Sequence, residues 1–213
     1  MGQLLFFWLT DSRQSRRTAP GRHRSQQGRE FPSSSRCIGK RQPLLDSATL
    51  LNYVRNANIR DAKVSEIGQL ARLWFDGWQD AHARIVPAEL ARMRTLQSFE
   101  QRLRAASVDV RVAEQAGAPV GFYLLKGAEL YQFYVASNAR GSGIAAVLMA
   151  DAEARLRERD VHTAWLACAI GNDRAARFYE KCGWSRTGTV TDDLEVSAGT
   201  FALEVWRYQK SLR

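Results

Sequence analysis

Apolar and polar positions become regularly spaced only from about residue 53 onward. Residues 53–60, YVRNANIR, alternate well enough to predict a β-strand. Apolar side chains then recur at steps of three and four residues between Ile67 and Trp78, the spacing of an amphipathic helix. Pro87 suits the first turn of a second helix, which the pattern extends to about Ala105. Two helices are therefore expected after the first strand.

Three further strands are predicted in quick succession. Residues 108–114 and 119–126 have strand-like patterns, and Gln115–Ala118 between them has the length of a hairpin connection. A third strand, residues 128–136, follows Gly127. Such short connections join antiparallel neighbours, so this part of the chain is predicted to form an antiparallel sheet.

The second half of the chain alternates between helices and strands. The helix that begins at Ile144 keeps its apolar residues on one face as far as Leu156, and Asn172 caps a short helix that ends at Gly183. The remaining strands are predicted at residues 162–170, 184–190 and 200–209. The whole pattern predicts an α/β fold: a mixed, mostly antiparallel sheet with helices on both faces and no internal repeat.

Residues 1–50 differ from the rest in charge and composition. They hold nine Lys or Arg against three Asp or Glu, a net charge of +6, whereas the remainder carries +3. Their mixture of Ser, Gln, Pro, Gly and Arg buries too little apolar area to offset the entropy of ordering. We predict a disordered basic extension over residues 1–50 and one domain over residues 51–213. The alternatives are a nucleic-acid-binding arm, disfavoured because no aromatic platform accompanies it, or an organelle transit peptide.

Cysteine usage and hydropathy bear on the cellular setting. Cys37, Cys168 and Cys182 are odd in number and scattered, without the spacing of metal ligands or of a disulfide framework. No run approaches the roughly eighteen apolar residues of a membrane span. The segment LLFFWL is too short for a signal peptide and lacks a preceding basic region. We expect a cytoplasmic protein with no membrane partner and no metal.

The segment Arg140-Gly141-Ser142-Gly143 joins a predicted strand to the helix that begins at Ile144. Backbone N–H groups in the first turn of a helix have no intrahelical partner, and the helix dipole adds partial positive charge there. Glycines let phosphates approach the backbone, and Arg140 adds a charged donor. The segment therefore predicts a pyrophosphate site.

Two other nucleotide-binding loops fit this segment less well. A P-loop is excluded because no Gly-Lys-Ser/Thr follows. Gly141, Gly143 and Ala146 satisfy a loose dinucleotide pattern, but that fingerprint follows the first strand of a βαβ unit, with an acidic residue ending the next strand. Here three strands precede the loop, and the next strand ends at residues 170–172, Ile-Gly-Asn. A Rossmann domain is therefore the disfavoured alternative.

Two motifs carry a resemblance to a known family. Arg140-Gly141-Ser142-Gly143-Ile144-Ala145 fits the Arg/Gln-x-x-Gly-x-Gly/Ala motif of the GNAT (Gcn5-related) N-acetyltransferase superfamily. The family's second element, Asn-x-x-Ala-x-x-x-Tyr-x-x-x-Gly-Phe, is matched by Asn172, Ala175, Tyr179, Gly183 and Trp184, with Trp in place of the commoner Phe. The element order also agrees over about residues 53–210, and WQDAHARIVPAEL resembles bacterial members whose acceptor is unassigned.

The resemblance implies a co-substrate and the residues that bind it. Acetyl-CoA would place its pyrophosphate on the amides of Arg140–Ala145 and its pantetheine along the strand that holds Phe133, much as an added strand does. Asn172 and Arg174 would approach it from the next helix. The cofactor-binding residues implied are Phe133, Tyr134, Val135, Arg140, Gly141, Ser142, Gly143, Ile144, Ala145, Asn172, Arg174 and Tyr179.

The resemblance also implies direct transfer of the acetyl group to a primary amine. Backbone amides of Phe133–Val135 would stabilise the oxyanion. Tyr179, placed in the N-terminal part of its helix, would protonate the leaving thiolate, although a core aromatic is the alternative. Glu129 is the first candidate base and His82 the second, with a surface carboxylate, a solvated histidine or a water chain as alternatives. Cys182 is interpreted as a packing residue.

The acceptor is left open by the sequence. Asp192, Asp193 and Glu195, expected in the connection between the last two strands, would favour a cationic amine if they line the acceptor side; a solvated loop is the alternative. A small molecule and a protein amine are both compatible, and so is a homodimer. The second hypothesis is an acyl-CoA-binding sensor or interaction module with the same fold and no turnover.

Overall fold

The computed structural model describes residues 57–106, 109–196 and 199–213. The helices are α1 (Ile67–His82), α2 (Ala88–Met93), α3 (Leu96–Ala105), α4 (Ile144–Glu158) and α5 (Asp173–Lys181). The strands are β1 (Asn58–Asp61), β2 (Val110–Gln115), β3 (Ala118–Lys126), β4 (Glu129–Val135), β5 (Thr163–Ala169), β6 (Ser185–Val196) and β7 (Gly199–Ser211). Short 3-10 turns precede α1 and the glycine loop, at Val64–Glu66 and Ser137–Ala139.

The strands form one sheet in the order β1-β2-β3-β4-β5-β7-β6. Neighbouring strands are antiparallel except for β4 and β5, which are parallel because α4 carries the chain back between them. The predicted mixed, mostly antiparallel sheet is confirmed.

Each face of the sheet packs against helices. Side chains of β3 alternate between the faces: Phe122 and Leu124 pack with α1 and α3, whereas Tyr123 and Leu125 pack with α4 and α5. Trp74 of α1 is the largest fully buried side chain on its face and contacts the ring of Phe99 at 4.8 Å between centroids. The prediction of helices on both faces is confirmed.

The prediction of one continuous second helix, from Pro87 to about Ala105, is wrong, because the structure has two helices there, α2 and α3. Pro87 is the N-cap residue of α2 and not its first helical residue, and α2 ends before Arg94, which has non-helical backbone angles. Thr95 is extended and its side chain accepts a hydrogen bond from the Ser98 N–H at 3.2 Å, which caps α3. The Thr95 cap therefore starts a separate helix, and the junction turns Arg94 away from solvent.

The last two strands are longer than predicted. They form a hairpin that is paired from Ser185↔Gln209 to Val196↔Gly199. The register shifts once, between Arg186 and Gly188. Asp192, Asp193 and Glu195 therefore lie in β6 and not in a connecting loop, because their alternating exposed and half-buried pattern suits an edge strand.

The N-terminal predictions are tested only in part. The strand expected over residues 53–60 is found at Asn58–Asp61; residues 53–56 and the proposed extension, residues 1–50, lie outside the described residues. In the described ranges, no helix is both long enough and apolar enough to span a bilayer.

Candidate active site

A gap between the two parallel strands forms the centre of the site. β4 and β5 pair at one register position, Glu129↔Trp165, where the Trp165 N–H donates to the Ala128 carbonyl oxygen at 3.1 Å. Beyond this point the strands separate, and both line a cavity of about 790 Å³. The gap leaves one edge of β4 available to a ligand.

The backbone of β4 divides its hydrogen-bonding groups between β3 and this gap. The Ala136 N–H donates to the Val120 carbonyl at 2.8 Å, and Tyr134 pairs with Phe122 two residues earlier. Because polar backbone groups alternate along an antiparallel strand, Tyr134 is bonded to β3, while Phe133 and Val135 direct their N–H and C=O groups toward the gap.

The loop before α4 presents a run of backbone donors. Gly141 and Gly143 have φ of +77° and +89°, a conformation that favours glycine. In the described part of the chain, no protein acceptor bonds the five consecutive N–H groups from Gly141 to Ala145. The Ser142 side chain is turned inward, where its Oγ donates to the Ala139 carbonyl at 2.6 Å. A ligand in the cavity would therefore meet the backbone N–H groups of the loop and not the serine hydroxyl.

Two arginines beside the loop share one carboxylate. Arg140 and Arg174 each donate to the same oxygen of Asp80, on α1, at 2.8 Å. The guanidinium groups of Arg174 and Arg140 hold the pKa of Asp80 below its usual value. These three residues are well exposed to solvent, so the ion pairs are weak and open to exchange with another anion.

Helix α5 brings Asn172 and Tyr179 to the cavity. Asn172 caps the helix by accepting a hydrogen bond from the Ala175 N–H at 3.3 Å, as expected. Tyr179 lies in the last turn of α5, so its expected place in the N-terminal part of the helix is wrong. It is 9% exposed and lines the cavity, and burial raises the pKa of its phenol. The hydroxyl therefore stays protonated at neutral pH.

Glu129 lies where β4 begins to separate from β5, and it lines the same cavity. Burial, with a smaller effect of the neighbouring Asp192 carboxylate, raises the pKa of Glu129 to about 7. Burial and Asp193 also raise the pKa of Asp192, which lines the cavity too. Two carboxyl groups with raised pKa values thus share one end of the cavity, an arrangement suited to accepting a proton.

His82 also lines the cavity, half-buried at the end of α1. Its ring stacks on Trp78 at 5.4 Å, and its Nδ1 lies 3.2 Å from the Trp78 carbonyl oxygen. Burial lowers the pKa of His82 to about 4, so the ring is neutral at pH 7 but a weak base. Cys182 lies outside the cavity lining, whereas Cys168 lines it with a thiol whose pKa burial raises to about 12.

Sequence reasoning missed three residues that the fold brings to the site. Asp80 sits on the polar face of α1, while Arg94 and Arg102 line the cavity near Tyr131. No local pattern distinguishes them, because each is one charged residue among many in a polar stretch. Of the predicted acceptor-side acids, Asp192 lines this cavity and Asp193 and Glu195 do not.

Comparison with curated proteins gives no significant match. Solved structures share the fold: a GCN5-related N-acetyltransferase from Rhodopseudomonas palustris superposes with a TM-score of 0.60 at 20% identity, over 73% of this chain and 96% of that one. The PaiA N-acetyltransferase of Thermoplasma acidophilum in complex with coenzyme A gives 0.52 at 16%, over 73% and 98%. The structure of YncA from Salmonella typhimurium with its cofactor acetyl-CoA gives 0.52 at 16%, over 74% and 95%.

The sequence also matches a family model directly. The model of the acetyltransferase (GNAT) family covers residues 69–184, more than half of the chain. That range begins in α1, contains the glycine loop and ends just after α5. The chain belongs to the GNAT acetyltransferase family.

Proposed function

We propose that this chain is an N-acetyltransferase that transfers the acetyl group of acetyl-CoA to a primary amine. The observation that carries the proposal is the run of unpartnered N–H groups from Gly141 to Ala145 beside a cavity that continues into the gap between β4 and β5. An anion-binding loop joined to an open strand edge suits a ligand with a diphosphate and an extended amide chain. PaiA and YncA, which share the fold, are complexed with coenzyme A and with acetyl-CoA respectively.

The residues around the cavity suit both the diphosphate and the pantetheine of acetyl-CoA. The amides of residues 141–145 would bind the diphosphate, and a Cβ built on Gly141 meets no protein atom within 4 Å, which leaves space for the ligand. Arg140 and Arg174 would exchange Asp80 for phosphate oxygens. The backbone groups of Phe133 and Val135 that face the gap would pair with the pantetheine amides.

The chain's own groups would then position the reactants and move protons. Bound acetyl-CoA supplies an acetyl group activated as a thioester. The N–H group of Phe133, farther from the glycine loop than Val135, would donate a hydrogen bond to the acyl oxygen as it gains negative charge, which leaves the Val135 N–H for the pantetheine. The Tyr179 hydroxyl, protonated at neutral pH, would donate a hydrogen bond to the leaving sulfur.

Glu129 is the base that the structure favours over His82. A carboxyl with a pKa of about 7 is half ionised at neutral pH, so it can accept a proton from the incoming ammonium directly or through water. His82, with a pKa of about 4, holds a proton far less readily. Holding the amine and the thioester close together and correctly oriented in one cavity would further lower the activation barrier for acetyl transfer.

Release of the coenzyme A thiol, measured with acetyl-CoA and a panel of primary amines, tests the proposal. We expect turnover with at least one amine, and we expect Tyr179→Phe to retain acetyl-CoA binding while losing most of kcat. Tyr208→Phe is the matched control, since its ring lies 5.9 Å from Tyr179 and its hydroxyl bonds Glu180. Acetyl-CoA binding without turnover by any amine would favour the sensor hypothesis instead.

A further inference from the structure

A buried arginine lies at the acceptor end of the cavity, and no carboxylate among the described residues bonds its guanidinium. Arg94, at the junction between α2 and α3, is 4% exposed. Its Nη1 donates to the Glu195 backbone carbonyl at 2.6 Å. Its Nε is buried and meets no hydrogen-bond acceptor among the described residues. Within the described part of the chain, the Glu195 backbone carbonyl is thus the one hydrogen-bond partner of the guanidinium.

Burying such a charge is costly unless an anion accompanies it. Burial, with a smaller effect of the like charge on the nearby Arg102 guanidinium, lowers the pKa of Arg94 to about 10. Tyr131, Tyr134 and the Glu195 carboxylate oppose this shift. Arg94 therefore remains a cation at neutral pH, and it lies beside a second one.

The carboxylate of Glu195, the residue whose backbone binds Arg94, is already engaged elsewhere. Glu195 accepts hydrogen bonds from Lys126 at 2.9 Å and from the Tyr131 hydroxyl at 3.0 Å. Arg102 donates to the same Tyr131 hydroxyl at 2.7 Å, and its guanidinium lies 4.5 Å from the centre of the Trp74 ring. The Glu195 carboxylate is therefore bonded to Lys126 and Tyr131, and Glu195 bonds Arg94 through its backbone carbonyl.

Arg94 shares the cavity with groups of opposite charge. Glu129 and Asp192 line that cavity, as do Arg94 and Arg102. The two arginines also line a second cavity of about 370 Å³, together with Lys126. The acceptor end thus offers carboxylates for an ammonium and buried guanidinium groups for an anion.

We propose that Arg94 binds a carboxylate of the acceptor, so that the substrate is an amine that itself carries a carboxylate. This inference rests on the proposed function. The Arg94 Nη2 group makes no hydrogen bond among the described residues and, unlike Nε, is not enclosed, so the charged guanidinium can donate to a carboxylate in the cavity. Glu129 and Asp192 then receive the amino end of the same molecule.

The test compares amines that differ only in this charge. Full-length protein is assayed with glycine, β-alanine and γ-aminobutyrate, each against its own carboxamide. We expect kcat/KM about 10- to 100-fold higher for the carboxylate of at least one pair, the gain typical of a hydrogen-bonded charge pair. Arg94→Gln should abolish that preference by raising KM for the carboxylate, so that the carboxylate and carboxamide of each pair react with similar kcat/KM. Equal kcat/KM within every pair for the wild-type protein would overturn the proposal.

Two further variants test whether the carboxylate preference depends on the Arg94 guanidinium itself. Arg92→Gln removes the same charge from an exposed position two residues earlier and should keep the preference. If Arg94→Gln does not fold, Arg94→Lys keeps a charge but loses the planar fork, and an unchanged KM for the carboxylates would overturn the proposal.

A binding measurement keeps this inference distinct from the proposed function. With coenzyme A present, the preferred amino carboxylate should raise the melting temperature of the wild-type protein and not that of Arg94→Gln. If no amine is turned over, the proposed function fails, and this shift alone decides the role of Arg94. Absence of a carboxylate-dependent shift would then overturn it.

Discussion

The two ends of the cavity are built in opposite ways. The end that we propose binds the diphosphate is one continuous loop, residues 140–145, which offers backbone N–H groups and exposed charges near solvent. The end that we propose binds the acceptor is assembled from side chains on α1, the α2–α3 junction, β4 and β6; Arg94 is buried there, and Glu129 and Asp192 are half-buried. A site made from one local segment can be recognised in a sequence, whereas a site assembled from distant elements cannot.

The charges at the two ends also behave differently. The ion pairs of Asp80 with Arg140 and Arg174 are exposed and screened, so they contribute little to stability. Glu129, Asp192 and His82 are withdrawn from water, and burial is the main cause of each pKa shift. Substitutions at the acceptor end should therefore change chemistry, and those at the loop should change affinity for coenzyme A.

The largest expected effect is at Glu129. Glu129→Gln should lower kcat by about 100- to 10,000-fold, the range for loss of a general base, with little change in acetyl-CoA binding. In the wild-type protein kcat/KM should rise with pH through about 7 and then level off, since the base acts when it is ionised. Asp193→Asn on the exposed side of β6 is the control. A pH profile with the same rising limb in Glu129→Gln would exclude this role.

The same carboxyl should make stability depend on pH. Its folded-state pKa of about 7 lies above the ordinary value of 4.5, so the folded state favours the protonated form. Its contribution to stability is complete below about pH 4.5 and is lost as the pH rises through about 7. Glu129→Gln should therefore lack this part of the decline in melting temperature.

The next largest effect is expected in the glycine loop. Gly143→Val places a β-branched residue at φ +89°, a left-handed conformation that costs about 1–2 kcal/mol or more for such residues. The loop should rearrange and weaken coenzyme A binding at least about tenfold, as measured by calorimetry. Gly117→Val is a matched control, because Gly117 has φ +79° in the β2–β3 turn and is not among the residues that line the cavity. Equal loss of affinity in both variants would argue against the loop as the binding site.

The smallest effect is expected at Asp80. Asp80→Asn removes the anion that competes with phosphate for Arg140 and Arg174, so coenzyme A should bind more tightly, by no more than about fivefold. The gain should shrink at high salt. Asp76→Asn, one helical turn earlier on an exposed position of α1, should leave affinity unchanged. Weaker binding in Asp80→Asn would show that Asp80 positions the two arginines and does not compete for them.

Much of the fold could be predicted because its signals are local. The strand-like pattern of β3, the three- and four-residue spacing in α1 and the Asn172 cap each depend on neighbours a few residues away, and the structure confirms them. The helix break at Arg94 was missed because the apolar spacing continues across it, and the Thr95 cap was not recognised. The length of β6 was missed because its acidic residues were interpreted as a loop.

The sequence by itself determined the order of the elements, the two-sided sheet and the glycine loop ahead of α4, and through two motifs it determined the family. Only the tertiary structure decided where β4 and β5 separate, which backbone groups of β4 face the gap, and which charges are buried together. The physical reason is the separation along the sequence over which each interaction acts, because apolar periodicity and helix capping involve residues only a few positions apart. The pKa of Glu129 and the burial of Arg94, by contrast, depend on groups that only folding brings together.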